Sequence, residues 1–163
     1  MQIIKLQSIS KNFKSKQALK KVNLDFDSQK INGLLGPNGS GKTTLFNIIA
    51  GFLPPDEGQI ILDGEDLTFF SLSKRSKLGI SYLPQEPSIF RDMSVYDNIF
   101  AIAELFHSKA ESKKITENLI YQFSLQGFQK TQGKLLSGGE RRRTEIARAL
   151  ASNPKFLLLD EPL

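Results

Sequence analysis

The sequence predicts an α/β fold in which a phosphate-binding loop links a buried strand to a helix, with a helical subdomain inserted into the core. Three observations carry this expectation. Gly36-Pro37-Asn38-Gly39-Ser40-Gly41-Lys42-Thr43 matches the spacing G-x-x-x-x-G-K-[ST]. The apolar run Phe156-Leu157-Leu158-Leu159 ends in two carboxylates, Asp160 and Glu161. Residues 88–151 carry mostly helical periodicity, whereas short strand-like runs lie around them.

The elements follow in order. Ile4 and Leu6 alternate with polar neighbours, as do Val22, Leu24 and Phe26, and both segments read as half-buried strands. The Lys-rich stretch around Phe13 between them reads as a loop or turn. Ile31-Asn32-Gly33-Leu34-Leu35 reads as a buried strand leading into the loop. Leu45, Ile48 and Ile49 share one helical face, and Gly51 stands where a helix stop belongs. Leu53-Pro54-Pro55-Asp56-Glu57-Gly58 breaks the chain before a short strand, Gln59 to Leu62, closed by Asp63-Gly64. Ile80 to Leu83 is a further strand, ended by Pro84, and Gln85 to Met93 is a loop. Ser94, with Asp97 three residues on, caps a helix carrying Val95, Ile99, Ile102, Leu105 and Phe106. Lys109 to Phe123 is a second amphipathic helix, with Ile115, Leu119, Ile120 and Phe123 on one face.

Composition bounds the function. The 163 residues suffice for about one domain with a real core. Cysteine is absent, so there is no disulfide framework and no thiolate metal site, which suits the cytosol. The amino terminus lacks the apolar core of a signal peptide, and no apolar run approaches membrane-spanning length. The net charge of +5 reads as a solvated surface. The lysines are dispersed and no basic-aromatic stripe offers a base-stacking platform, so no nucleic-acid partner is expected.

The motifs carry the chemistry. Glycines let the loop backbone bring its N–H groups close to phosphate, and the helix that follows presents its positive end to the same anion. Lys42 is placed to reach the β- and γ-phosphates, and the Thr43 hydroxyl, followed by Thr44, to ligate Mg²⁺. Ser137 and Glu140 in Leu136-Ser137-Gly138-Gly139-Glu140 form a capping-box pattern, while Gly138 and Gly139 leave the helix amides open to an anion. Alone, that pattern is an ordinary capped helix. The run Arg141-Arg142-Arg143 after it reads as a solvated or interface face. Asp160 is placed to orient Mg²⁺ and Glu161 to act as general base toward water. Without a phosphate loop in the same chain, the bland reading of that pair, a solvated acidic turn, would be preferred.

Together these residues resemble the nucleotide-binding domain of ABC-type ATPases, over the whole chain. Gly36 to Thr43 resembles Walker A, Leu136 to Glu140 the ABC signature, and Phe156 to Glu161 Walker B with its catalytic glutamate. Tyr82-Leu83-Pro84-Gln85 stands where the family has its Q-loop; the resemblance implies that Gln85 touches Mg²⁺ and the attacking water. Phe13 stands where the family stacks an aromatic on adenine, commonly a tyrosine. The fold implied is a P-loop NTPase of ABC type with an antiparallel β subdomain. Residues 1–87 and 152–163 would form the core with that subdomain, and residues 88–151 the helical subdomain. The cofactors implied are ATP and Mg²⁺. The partners implied are a second ATPase subunit, whose Ser137, Gly138, Gly139 and Glu140 would complete the ATP site, and transmembrane permease subunits on the cytoplasmic face of the inner membrane.

Residues 79–91, Ser94 to Asn98 and Leu136 to Arg143 are similar to the ATPase subunits of lipopolysaccharide-export transporters. In that family the segment after the Q-loop forms a groove for coupling helices, which assigns Phe90 and Arg91 to the groove. Branched-chain amino-acid importer ATPases are a second resemblance. A soluble ABC protein is a third, although no coiled-coil insertion or tandem cassette appears. Family members continue past Walker B with a D-loop, a switch histidine and a central strand. The sequence stops at Leu163, and His107, the only histidine, reads as a surface residue of the helical region. The expectation is a core lacking its C-terminal part and no turnover by this chain alone.

Overall fold

The alternation of Ile4, Leu6 and Ile9 with polar residues produces β1 (Ile3–Phe13), which pairs antiparallel with β2 (Lys16–Asp27), Leu6 opposite Leu24 and Ile4 opposite Phe26. The computed structural model describes residues 2–14 and 16–161. The stretch around Phe13 is strand rather than loop, because the ladder continues to the pair Phe13–Lys16. Two compact units divide the chain, Met1–Ile80 and Ser81–Leu163.

In the first unit, β3 (Glu57–Leu62) pairs with β1, and β4 (Glu65–Asp66) pairs with β3, giving an antiparallel sheet of order β2-β1-β3-β4. Asp63 and Gly64 both have positive φ, as a tight two-residue hairpin turn requires. Helix α1 (Lys42–Ala50) buries Leu45, Ile48 and Ile49 on one face and ends at Gly51, whose φ of 92° is the left-handed cap expected there. Helix α2 (Leu72–Lys77) packs beside α1.

The strand expected before the phosphate loop does not form. Ile31 to Leu35 is not a strand, and both Ile31 and Leu35 are fully exposed. A buried strand needs neighbours to take its N–H and C=O groups. Among the described residues no strand lies beside this segment, so its apolar composition has nothing to pair with.

In the second unit, β5 (Ile80–Leu83) pairs with β6 (Phe156–Leu159). Helices α3 (Val95–Ala103), α4 (Lys109–Gln122) and α5 (Gly138–Leu150) pack on one another around Val95, Ile99, Leu119, Ile120, Leu136 and Ala147. Helix α3 is shorter than its apolar pattern suggests: it stops at Ala103, and Leu105 is exposed. His107 is half-buried rather than a surface residue, with its Nε2 shut away from solvent. Among the described residues no helix is long and apolar enough to cross a membrane.

Candidate functional site

The phosphate-binding loop lies in the first unit, and its glycines are set by sterics. A Cβ built on Gly41, the residue before α1, would stand 2.6 Å from the Ala18 carbonyl oxygen and 2.9 Å from Leu19 Cδ2, and its φ is 97°. No side chain caps α1, so the first-turn amides stay open to an anion. Ser40 N–H donates to the Pro37 carbonyl at 3.2 Å, closing the turn. The Lys42 ammonium folds over the loop, donating to the carbonyls of Gly36 at 2.8 Å and Pro37 at 3.1 Å. Asn38 and Thr43 are exposed and Thr44 is half-buried. Phe13 is 44% exposed at the end of β1, with the Lys11 ammonium 6.0 Å from its ring centre. The uncapped start of α1 and the Lys42 ammonium suit an anion such as a nucleotide phosphate.

The carboxylates lie in the second unit, at the end of β6. Asp160 is 1% exposed, its N–H donates to the Leu83 carbonyl, and its Oδ2 accepts from the Tyr82 hydroxyl at 3.3 Å. Burial and the neighbouring Asp160 charge push the Tyr82 hydroxyl up to about 12, so it remains a donor. Glu161 is exposed, and its Oε2 accepts from Gln85 Nε2 at 2.5 Å. The Q-loop and the strand end predicted separately from sequence therefore meet side chain to side chain. Among the described residues no group of three or more His, Cys, Asp or Glu side chains gathers. Mg²⁺ is commonly held by one or two protein oxygens together with substrate phosphates. The oxygens of Thr43 and Asp160 and the amide of Gln85 have the right donor chemistry.

The capping box of the signature segment is complete. Ser137 Oγ accepts from Glu140 N–H at 3.4 Å, and Glu140 Oε2 accepts from Ser137 N–H at 2.8 Å. The Ser137 N–H and hydroxyl hold the Glu140 carboxyl below its ordinary range. A Cβ on Gly138 would meet nothing within 4 Å, so the start of α5 is open.

Within the arginine run, Arg142 is tied to the chain rather than left to solvent. Arg142 Nη1 donates to the Pro84 carbonyl at 3.0 Å and to Glu145 Oε2 at 3.3 Å, and its Nη2 donates to the Glu161 carbonyl at 3.2 Å. Glu145 is buried, and its Oε1 accepts from the N–H groups of Ser88 and Ile89 at 2.7 and 3.1 Å. Arg148 donates to Ser88 Oγ at 2.7 Å and lies 4.6 Å from the Phe90 ring centre. Asn98 donates to the Phe90 carbonyl and accepts from its N–H. These four residues of α3 and α5 fix the segment after Gln85. The sequence shows only a polar stripe every third residue of α5, which does not reveal what it holds. A cleft of about 290 Å³ beside this segment is lined by Pro87, Ile89, Arg91, Gly133, Lys134 and Arg141, and Phe90 is 43% exposed.

A phosphate loop opening a helix, a strand ending in a buried aspartate and a glutamate held by glutamine, and an open capped helix start define a nucleotide-hydrolysing cassette. The family model described as ABC transporter matches residues 19–163, and the chain belongs to that family. Its curated relatives include the lipopolysaccharide export system ATP-binding proteins LptB of Haemophilus influenzae, 45% identical over 99% of this chain and 68% of that protein, and of Escherichia coli K12, 46% identical over the same shares. An uncharacterized ABC transporter ATP-binding protein of Rhizobium meliloti is 45% identical over 96% of the chain and 58% of that protein. Among solved structures, a nucleotide-free ATP-binding cassette from an ABC transporter superposes with a TM-score of 0.84 at 29% identity, covering 100% of this chain and 70% of that one. A dimeric bacterial ABC transporter cassette superposes with a TM-score of 0.87 at 29% identity, covering 98% and 74%. The protein is thus an ATPase subunit of an ABC transporter, with the mixed α/β cassette fold and its antiparallel sheet.

Proposed function

We propose that this protein hydrolyses MgATP in a two-subunit sandwich to drive lipopolysaccharide export across the bacterial envelope, from the cytoplasmic face of the inner membrane. The observation that carries the hydrolytic part is the Gln85–Glu161 contact at the end of β6. Phe13 stacks on adenine, a contact worth about 1–3 kcal/mol. Residues Gly36 to Thr44, Lys42 among them, hold the phosphates, and Thr43, Gln85 and Asp160 are the residues that would hold Mg²⁺. Glu161 takes a proton from water as the water oxygen bonds to the γ-phosphorus and the bond to the ADP oxygen breaks. Gln85 donates to Glu161 and holds it in place; Mg²⁺, when bound, would neutralise charge on the phosphates. Ser137, Gly138 and Glu140 present the open start of α5, with Gly139, to the nucleotide held by the other subunit.

The export part is supported by the 45% identity to LptB over almost the whole chain. Phe90 and Arg91 beside the cleft are the docking residues for permease coupling helices. Purifying the tagged protein with its own membranes tests this: the expected companions are lipopolysaccharide-export permease subunits, and amino-acid permeases in their place would overturn it. Phe90→Ala is expected to lose the permeases, at least tenfold in recovered complex, with MgATP affinity unchanged.

A second reading concerns residues 1–163 on their own. The exposed, unpaired Ile31 to Leu35 leads directly into the phosphate loop, so the loop lacks a fixed strand behind it. Steady MgATP turnover by the isolated 163-residue chain would contradict the expectation that it does not turn over.

A further inference from the structure

We propose that Lys16 supplies a second cation to the phosphate chain of the bound nucleotide, from the strand beside the loop; this rests on the reading of Gly36 to Thr44 as the phosphate site. Lys16 opens β2, directly across the ladder from Phe13. A Cβ built on Gly39, in the phosphate loop, would stand 3.7 Å from the Lys16 ammonium. Among the described residues no hydrogen bond or ion pair holds that ammonium. Three other lysines of the same unit are committed: Lys11 to Asp56 at 2.7 Å, Lys30 to Asp27 at 3.5 Å, and Lys42 to two loop carbonyls; what sets Lys16 apart is its place beside Gly39.

The placement is electrostatically unfavourable without an anion. Lys16 and Lys42 both stand near the N-terminal end of α1, which is itself positive, and cations are disfavoured there. A polyanion between them reverses the sign of each interaction. A lysine suits this task, since its ammonium is a compact charge on a flexible stem that follows a phosphate chain without demanding fixed geometry. The Phe13–Lys16 pair then serves two parts of one ligand from adjacent strands: the ring takes the base and the ammonium takes the phosphates.

Calorimetric titration of the protein with MgATP and with adenosine, at two salt concentrations, tests this. Lys16→Ala is expected to weaken MgATP binding about 5- to 20-fold and flatten its salt dependence, leaving adenosine binding unchanged. Lys16→Arg should restore most of the affinity, and Lys20→Ala, exposed on the same strand, should change nothing. If Lys42→Ala weakens MgATP binding and Lys16→Ala stays within twofold of the parent, the role of Lys16 is overturned and the phosphate loop stands. If neither substitution matters, or the parent binds no MgATP, the loop reading falls as well. An equal loss for adenosine would mark a damaged hairpin and overturn the proposal too.

Discussion

Glu161→Gln is expected to cut steady-state ATP turnover by about 10²- to 10⁴-fold, the usual contribution of a positioned general base, while leaving MgATP affinity within about twofold. The substitution keeps the shape of the side chain and its contact with the Gln85 amide, and removes the group that accepts a proton. The KM should stay near that of the parent while kcat falls, which separates loss of chemistry from loss of binding. Gln85→Ala tests the other side of the contact. It frees Glu161 from its 2.5 Å partner and should lower kcat less, by about 10-fold, because the base remains. Phosphate release measured across a range of ATP concentrations reads both variants.

Arg75→Met is expected to cost about 3 kcal/mol of stability, which lowers the melting temperature by about 6–12 °C for a chain of this size. Arg75 is 1% exposed and bonded entirely to backbone carbonyls. Its Nη1 donates to Ile48 and Ile49 at 2.5 and 2.8 Å, its Nη2 to Leu67 and Thr68 at 2.7 and 3.0 Å, and its Nε to Phe70 at 3.0 Å. Ile48 and Ile49 lie in the last turn of α1, where carbonyls have no intrahelical partner and a cation is favoured. One guanidinium therefore caps the helix that carries the phosphate loop and pins α2 to it. Burial pushes Arg75 down to about 10, with Asp66 acting the other way, so it stays charged at neutral pH. Methionine fills much of the volume and leaves the carbonyls without donors. Thermal unfolding followed by circular dichroism checks the effect.

The loop, the capping boxes and most elements were legible because each is a local pattern. Ser137 with Glu140, and Ser94 with Asp97, form the N-cap contacts that their spacing announces. The face of α1 and its stop at Gly51 follow from a 3.6-residue period and one glycine. Arg75 was not legible, because a polar segment rich in Ser and Lys reads as solvated and nothing local marks one of its cations as buried. Arg142, Glu145 and Arg148 were missed for the same reason, since their partners lie about 55–60 residues away. Ile31 to Leu35 was misread in the opposite direction. Its composition is that of a buried strand, but a strand is a property of a pair, and pairing is not written in one segment. Phe13 was placed in a loop or turn because its neighbours are lysines, whereas the ladder runs on to pair it with Lys16.

In the proposed sandwich two copies share each ATP, the loop of one and the open start of α5 of the other. Sedimentation velocity of the Glu161→Gln protein tests this, since ATP bound to that variant is not consumed during the run. A single species of twice the monomer mass is expected with MgATP, and the monomer alone with MgADP or with Ser137→Ala added. MgATP bound to a protein that stays monomeric, or a dimer indifferent to the nucleotide, would contradict it.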